Sequence, residues 1–150
     1  MTILSNGHMW KHSEFIENNN FSFDKNKILS SLSKKDIDDA YSSISSWKGY
    51  SPTPLIQLNK LSKELGLSKI FYKDESKRFD LKSFKALGGA YAVEKVSNGN
   101  KDIVVATATA GNHGRSVAWG ARRLGLKCKI FISEFVSDAR GQAMADLGAD

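Results

Sequence analysis

Apolar positions recur along this chain with a helical period in some stretches and as short continuous runs in others. Ile37, Tyr41, Ile44 and Trp47 follow Ser33-Lys34-Lys35-Asp36, which has the form of a helix cap, and the period stops at Gly49. This predicts an amphipathic helix with its apolar stripe in the core. Leu58, Leu61 and Leu65 predict a second short helix before Gly66, and Ile70 to Lys73 reads as a strand. From Ser83 onward helix and strand alternate. Helices are predicted from Lys85, Asn112 and Asp138, the last reaching Leu147 and closed by Gly148, with strands around Ile103 and Ile130. Asp102 to Ala108 reads as a buried strand, and Ala149-Asp150 as the start of another. Consecutive βα units imply an α/β fold with a parallel sheet and right-handed crossovers, and ligands on such sheets bind at the carboxyl ends of strands. Residues 1 to about 30 are polar and Asn-rich, with Phe15, Phe21 and Phe23 at no sustained period, which predicts an irregular arm.

Two glycine-bearing turns carry the candidate chemistry. The first is Ser83-Phe84-Lys85-Ala86-Leu87-Gly88-Gly89. A lysine just inside a helix start meets the positive end of the helix dipole, which disfavours an ammonium and favours a neutral amine or a nearby anion. Ser83 can cap that helix by accepting a backbone N–H bond, and Gly88 and Gly89 allow close approach of a backbone or a flat ring. The second turn is Thr109-Ala110-Gly111-Asn112-His113-Gly114, between a strand and a helix. There the N–H groups of Ala110, Gly111, Asn112 and His113, with the Thr109 hydroxyl, can form a nest for a carboxylate or phosphate. Taken alone, Lys85 reads as a solvated lysine and the second turn as an ordinary connection with Asn112 as a cap. Their succession, one strand apart, points to covalent cofactor chemistry.

Charge adds little. With 22 Lys and Arg against 16 Asp and Glu the net charge is +6, but the cations are scattered among acidic residues. No basic helix or aromatic platform marks a nucleic-acid surface. Arg122 and Arg123 fall where they complement the negative end of the Asn112 helix, with an anionic partner as the alternative. His8 and His12 have helical ligand spacing but no third ligand, so no metal site is expected. Cys128, the single cysteine, lies in an apolar strand and reads as a buried, inert thiol in a reduced compartment. No run is long enough to span a bilayer and no secretory leader is visible, which predicts a cytoplasmic protein without membrane partners.

The same two turns resemble those of the fold-type-II, tryptophan synthase β-like, pyridoxal-phosphate enzymes. Within that group, Tyr50-Ser51-Pro52-Thr53-Pro54-Leu55, Tyr72-Lys73-Asp74-Glu75-Ser76-Lys77-Arg78-Phe79 and Gly114-Arg115-Ser116-Val117-Ala118-Trp119 are similar to segments of the diaminopropionate ammonia-lyases. The likeness runs from about Trp47 to the C-terminus. It implies that Lys85 is the Schiff-base lysine and the base for the substrate Cα proton, that Asn112 bonds the hydroxyl of the pyridoxal 5'-phosphate ring, and that Phe84 packs near that ring. Thr109 with Ala110, Gly111, Asn112 and His113 would bind the carboxylate of a small amino-acid substrate. The implied reaction is α,β-elimination of 2,3-diaminopropionate to pyruvate and ammonia, with a threonine or serine dehydratase as the alternative.

Two positions depart from the family pattern. Ala110 stands where the ammonia-lyases carry an acid that assists proton transfer, and Asp80 stands where glycine is common. The resemblance also implies residues 1–84 as an arm with partial large-domain elements and 85–150 as a small α/β domain bearing both turns. The family's phosphate loop and pyridine-nitrogen partner lie beyond Asp150, and the chain holds no Walker-type loop or G-x-G-x-x-G. A C-terminally truncated form is therefore expected, either self-associating, completed by a C-terminal chain, or a non-catalytic interaction module.

Overall fold

The computed structural model describes residues 3–5, 8–10 and 24–150. The chain divides into two compact units, residues 1–36 with 55–73 and residues 37–54 with 74–150.

In the first unit, strands β1 (Ile3–Ser5) and β2 (His8–Trp10) pair antiparallel, Ile3 opposite Trp10. Helix α1 (Lys25–Ser31) follows Asp24, whose carboxylate accepts the N–H groups of Asn26 and Lys27 at 2.9 and 3.2 Å. The expected irregular arm thus contains a hairpin and a capped helix. The helix was hidden because capping of first-turn amides, not an apolar stripe, marks its start. Phe15, Phe21, Phe23 and His12 lie outside the described residues. Strands β3 (Leu55–Gln57) and β4 (Phe71–Lys73) also pair antiparallel, Ile56 opposite Tyr72, around the short helix α3 (Asn59–Glu64). Leu58 and Leu65 are half-buried beside α3 and Leu61 is exposed.

Helix α2 (Lys34–Ser46) opens with the expected reciprocal cap. Asp36 N–H donates to Ser33 Oγ at 3.1 Å and Ser33 N–H returns a bond to Asp36 Oδ2 at 3.0 Å. Only the end of its apolar stripe is core: Trp47 is buried and Ile44 half-buried, whereas Ile37 and Tyr41 are exposed. The reason is visible at Glu94, which accepts the Trp47 indole N–H at 3.0 Å and the Ser43 hydroxyl and so anchors that end alone.

The second unit is built of α4 (Lys85–Ser97), β5 (Val104–Ala108), α5 (Asn112–Leu124), β6 (Lys127–Phe131) and α6 (Asp138–Ala145). β5 and β6 are parallel, Val104 opposite Lys127 and Ala108 opposite Phe131, with α5 as the crossover. Ala149 and Asp150 extend the sheet: Asp150 N–H donates to Cys128 C=O at 2.9 Å and Ile130 N–H to Asp150 C=O at 2.7 Å. The parallel α/β reading therefore holds. β5 is less buried than expected, since Val105 and Thr107 are half-buried while Val104, Ala106 and Ala108 alternate with them as exposed residues. One face of the strand packs on the core and the other does not, as the period-two pleat requires.

The core centres on α4 against α5. A Cβ added at Gly120 would lie 2.7 Å from Ala90 Cα, and one at Gly89 would lie 2.8 Å from Ser116 Cβ, so the two helices meet where glycine removes the side chain. Beside this seam Trp119 packs with its ring centroid 4.6 Å from Phe79 and 5.8 Å from Trp47. The guanidinium of Arg123 sits 4.0 Å from the Trp47 ring centre and 3.6 Å from the Glu94 carboxylate. Arg122 and Arg123 both lie in the last turn of α5; Arg123 is turned into the aromatic cluster toward Glu94, and Arg122 donates to Asp146 C=O at 3.3 Å. Among the described residues no helix is long and apolar enough to cross a membrane.

Two outcomes follow from this packing. Gly120→Ala is expected to lower unfolding free energy by about 1–3 kcal/mol in denaturant melts, because the clash is with backbone that cannot turn aside. Cys128 is buried and its burial pushes the thiol up from the usual value of 9.0. The folded chain binds that proton more tightly than the unfolded chain, so this stabilisation is present below pH 9.0 and fades as pH rises above it. Melting temperatures of the wild type and Cys128→Ala, compared across pH 8 to about 10.5, should converge as the pH climbs.

Candidate active site

Lys85 is the first residue of α4 and is exposed, so its amine is free to react. Ser83, buried two residues before it, accepts the Lys85 N–H at 3.3 Å, while the cap position itself is Phe84, which makes no side-chain bond to the helix start. Phe84, between them, is 65% exposed and presents its ring to the surroundings rather than to the core.

The second turn leaves the carboxyl end of β5. Thr109 N–H continues the ladder to Phe131 C=O at 3.0 Å, and the Thr109 hydroxyl accepts the Gly111 N–H at 3.4 Å. Gly111 precedes α5 with no side-chain cap, and Asn112 and His113 are its first two residues, both exposed. Asn112 is therefore inside the helix and not its cap. First-turn amides have no carbonyl partner within a helix, so this uncapped start offers N–H donors and a positive dipole end to an anion. Ala110 is exposed beside them.

α5 brings the two turns together. Ser116, fully buried, donates its hydroxyl to Lys85 C=O, and Arg115 Nη1 donates to Leu81 C=O at 3.2 Å. Neither residue stands out by chemical type. The signal for Ser116 is its spacing, four residues from Asn112 and hence on the same helix face, with Gly89 placed likewise after Lys85. Gly111, Asn112, Arg115, Ala139, Arg140 and Ala143 line a cleft of about 390 Å³. His113 lines a different, apolar cleft of about 300 Å³ with Gly89, Val105, Thr107 and Val117, so Asn112 and His113 line separate clefts.

Upstream of Lys85 the chain turns sharply. Phe79, Asp80 and Lys82 have φ of 48, 60 and 56°, left-handed values for three non-glycine residues. Arg78, 5% exposed, holds the base of this turn: its Nε and Nη2 donate to Glu75 at 2.7 and 3.0 Å, Nη1 to Ser51 C=O at 2.8 Å, and Nη2 to Thr53 Oγ1 at 3.1 Å. The Glu75 bond keeps the Arg78 guanidinium above its usual range, whereas burial pushes Arg123 down against the opposing pull of Glu94. Ser76 bonds hold the Asp74 carboxyl below the usual range. No cluster of metal-ligating side chains occurs among the described residues.

Residues 47–150 match the pyridoxal-phosphate dependent enzyme family. The chain belongs to that family. It is 41% identical over 120 residues to the diaminopropionate ammonia-lyase of Escherichia coli K12, an alignment covering 68% of this chain and 30% of that protein. It is 32% identical over 118 residues to the catabolic L-threonine dehydratase of Staphylococcus aureus, covering 79% and 33%. A crystal structure of the Escherichia coli ammonia-lyase with an aminoacrylate-PLP azomethine reaction intermediate superposes with a TM-score of 0.71 at 38% identity, over 78% of this chain and 33% of that one. The chain thus spans about a third of the length of the curated relatives it matches. The family's cofactor is pyridoxal phosphate, and the residues present suit it: an accessible primary amine, an uncapped helix start, and two glycines, Gly88 and Gly111, whose missing side chains would meet nothing within 4 Å.

The turn before Lys85 yields a stability test. Asp80 is exposed, so replacing it removes strain without removing packing. Asp80→Gly is expected to raise unfolding free energy by about 0.5–1 kcal/mol, read by chemical denaturation.

Proposed function

We propose that the chain is the lysine-bearing part of a diaminopropionate ammonia-lyase, a carbon–nitrogen lyase that converts 2,3-diaminopropionate and water to pyruvate and two ammonia molecules. The observation that supports the reading most is the bond from Ser116 to Lys85 C=O, which ties the backbone at Lys85 to the helix that opens at Asn112. Lys85 would hold the cofactor through its amine and, once displaced by substrate, take the Cα proton. The Asn112 amide would bond the ring hydroxyl, and Phe84 would cover the ring. The N–H groups from Ala110 to His113 and the Thr109 hydroxyl would hold the substrate carboxylate, fixing the Cα–H bond toward Lys85. Pyridoxal phosphate, when bound, supplies the electron sink for the charge left at Cα.

Elimination also needs an acid for the departing β-amine. Ala110 cannot be that acid, so its place is taken by another group or by solvent. A threonine or serine dehydratase is the second reading, supported by the 32% identity to the Staphylococcus aureus enzyme. The exposed apolar residues Val104, Phe131 and Phe135 support a site completed by further polypeptide, from a C-terminal segment or another copy.

The test is to mix purified chain with pyridoxal phosphate, record the visible spectrum, reduce with borohydride and map the labelled peptides. A saturable band with label concentrated on Lys85, lost in Lys85→Ala, is the expected result. Pyruvate release from diaminopropionate, threonine and serine then separates the two enzyme readings. Label scattered over many lysines would sink both and leave a non-catalytic interaction module.

A further inference from the structure

Two adjacent residues of α5 reach back to the segment that carries Lys85. Ser116 bonds the carbonyl of Lys85 itself, and Arg115 bonds the carbonyl of Leu81, four residues earlier and ahead of the helix. Leu81 lies between Asp80 and Lys82, in the middle of the left-handed turn, so the Arg115 bond falls on the backbone most in need of a fixed geometry. Arg115 Nε is buried with no acceptor, which leaves Nη1 as its anchoring donor. Ser116 is fully buried, and its side chain packs against Gly89, where an added Cβ would lie 2.8 Å from Ser116 Cβ.

We propose that Ser116 and Arg115 are positioning residues for Lys85, fixing the backbone on both sides of the reactive amine relative to the Asn112 turn. The proposal rests on the reading of Lys85 as the cofactor lysine. The Lys85 carbonyl can still accept its ordinary helical bond from Gly89, so loss of the Ser116 hydroxyl need not unravel α4. What it removes is the tie between two helix starts. Arg115 acts from the surface of the same seam and gives an independent handle should Ser116→Ala fold poorly.

The test uses the full chain and the share of borohydride-trapped pyridoxal phosphate found on Lys85 relative to all other lysines. Wild type, Ser116→Ala, Arg115→Gln, Arg115→Lys and a control, Ser97→Ala, are compared at equal total label, with near-ultraviolet circular dichroism reporting the Trp47 and Trp119 packing. Ser97 is as buried as the core but bonds Glu94 C=O at the far end of α4. The expected result is a drop of about fivefold in the Lys85 share for Ser116→Ala and Arg115→Gln, the factor of one net hydrogen bond. Arg115→Lys should recover much of it, and Ser97→Ala should leave it unchanged. A selective wild type with equally selective Ser116→Ala and Arg115→Gln would overturn the positioning role while leaving Lys85 as the cofactor lysine. An equal drop in Ser97→Ala would reduce the effect to general loosening and overturn it too. A wild type with no preference for Lys85 would remove the underlying reading and the proposal with it.

Discussion

The close approach of α4 and α5 is the constraint on which the rest of the second unit depends. Ser116 lies at Gly89 and Gly120 lies at Ala90, so contacts advance in the same sense along both helices and their N-termini fall at one end. Those N-termini carry Lys85 and Asn112. A wider seam, with ordinary side chains at Gly89 or Gly120, would move the backbone at Lys85 away from the helix that opens at Asn112. Small residues here therefore fix the relative placement of the two helix starts as well as the packing density.

Around that seam the polar interactions are few but concentrated. Glu94 accepts from Ser43 and Trp47 and faces Arg123, which in turn lies over two indole rings. One carboxylate thus ties α2, α4 and α5 together. Its partner cation is held against aromatic faces instead of water, where electrostatic attraction to the ring adds to the ion pair. The arrangement explains why the end of α2 is ordered into the core while its first turns are exposed.

Much of this was legible in the residues. The βα alternation, the Ser33–Asp36 cap, the Ser83 bond to the Lys85 N–H and the burial of Cys128 all follow from local pattern, because each depends on neighbours within a few positions. The missed features depend on distant partners. That the partner of Arg123 is Glu94, 29 residues earlier in the chain (123 − 94), could not be read from the α5 segment alone. The exposure of Ile37, Tyr41 and Val104 reflects which faces find a covering element, something periodicity marks but cannot supply. Ser116 and Arg115 carried no signal beyond helical spacing, since hydroxyl and guanidinium groups at such positions ordinarily face solvent.

The turn from Phe79 to Lys82 separates two properties that usually travel together. Asp80 and Lys82 are exposed, and by exposure alone any residue would be tolerated there. Their backbone says otherwise, because a β-branched side chain in the left-handed region collides with its own carbonyl neighbours. Variation at these positions should therefore be confined to glycine, asparagine, aspartate and flexible unbranched residues, although the side chains that change are exposed. Natural diversity in this stretch would be governed by torsion angles, with solvent access no guide to it.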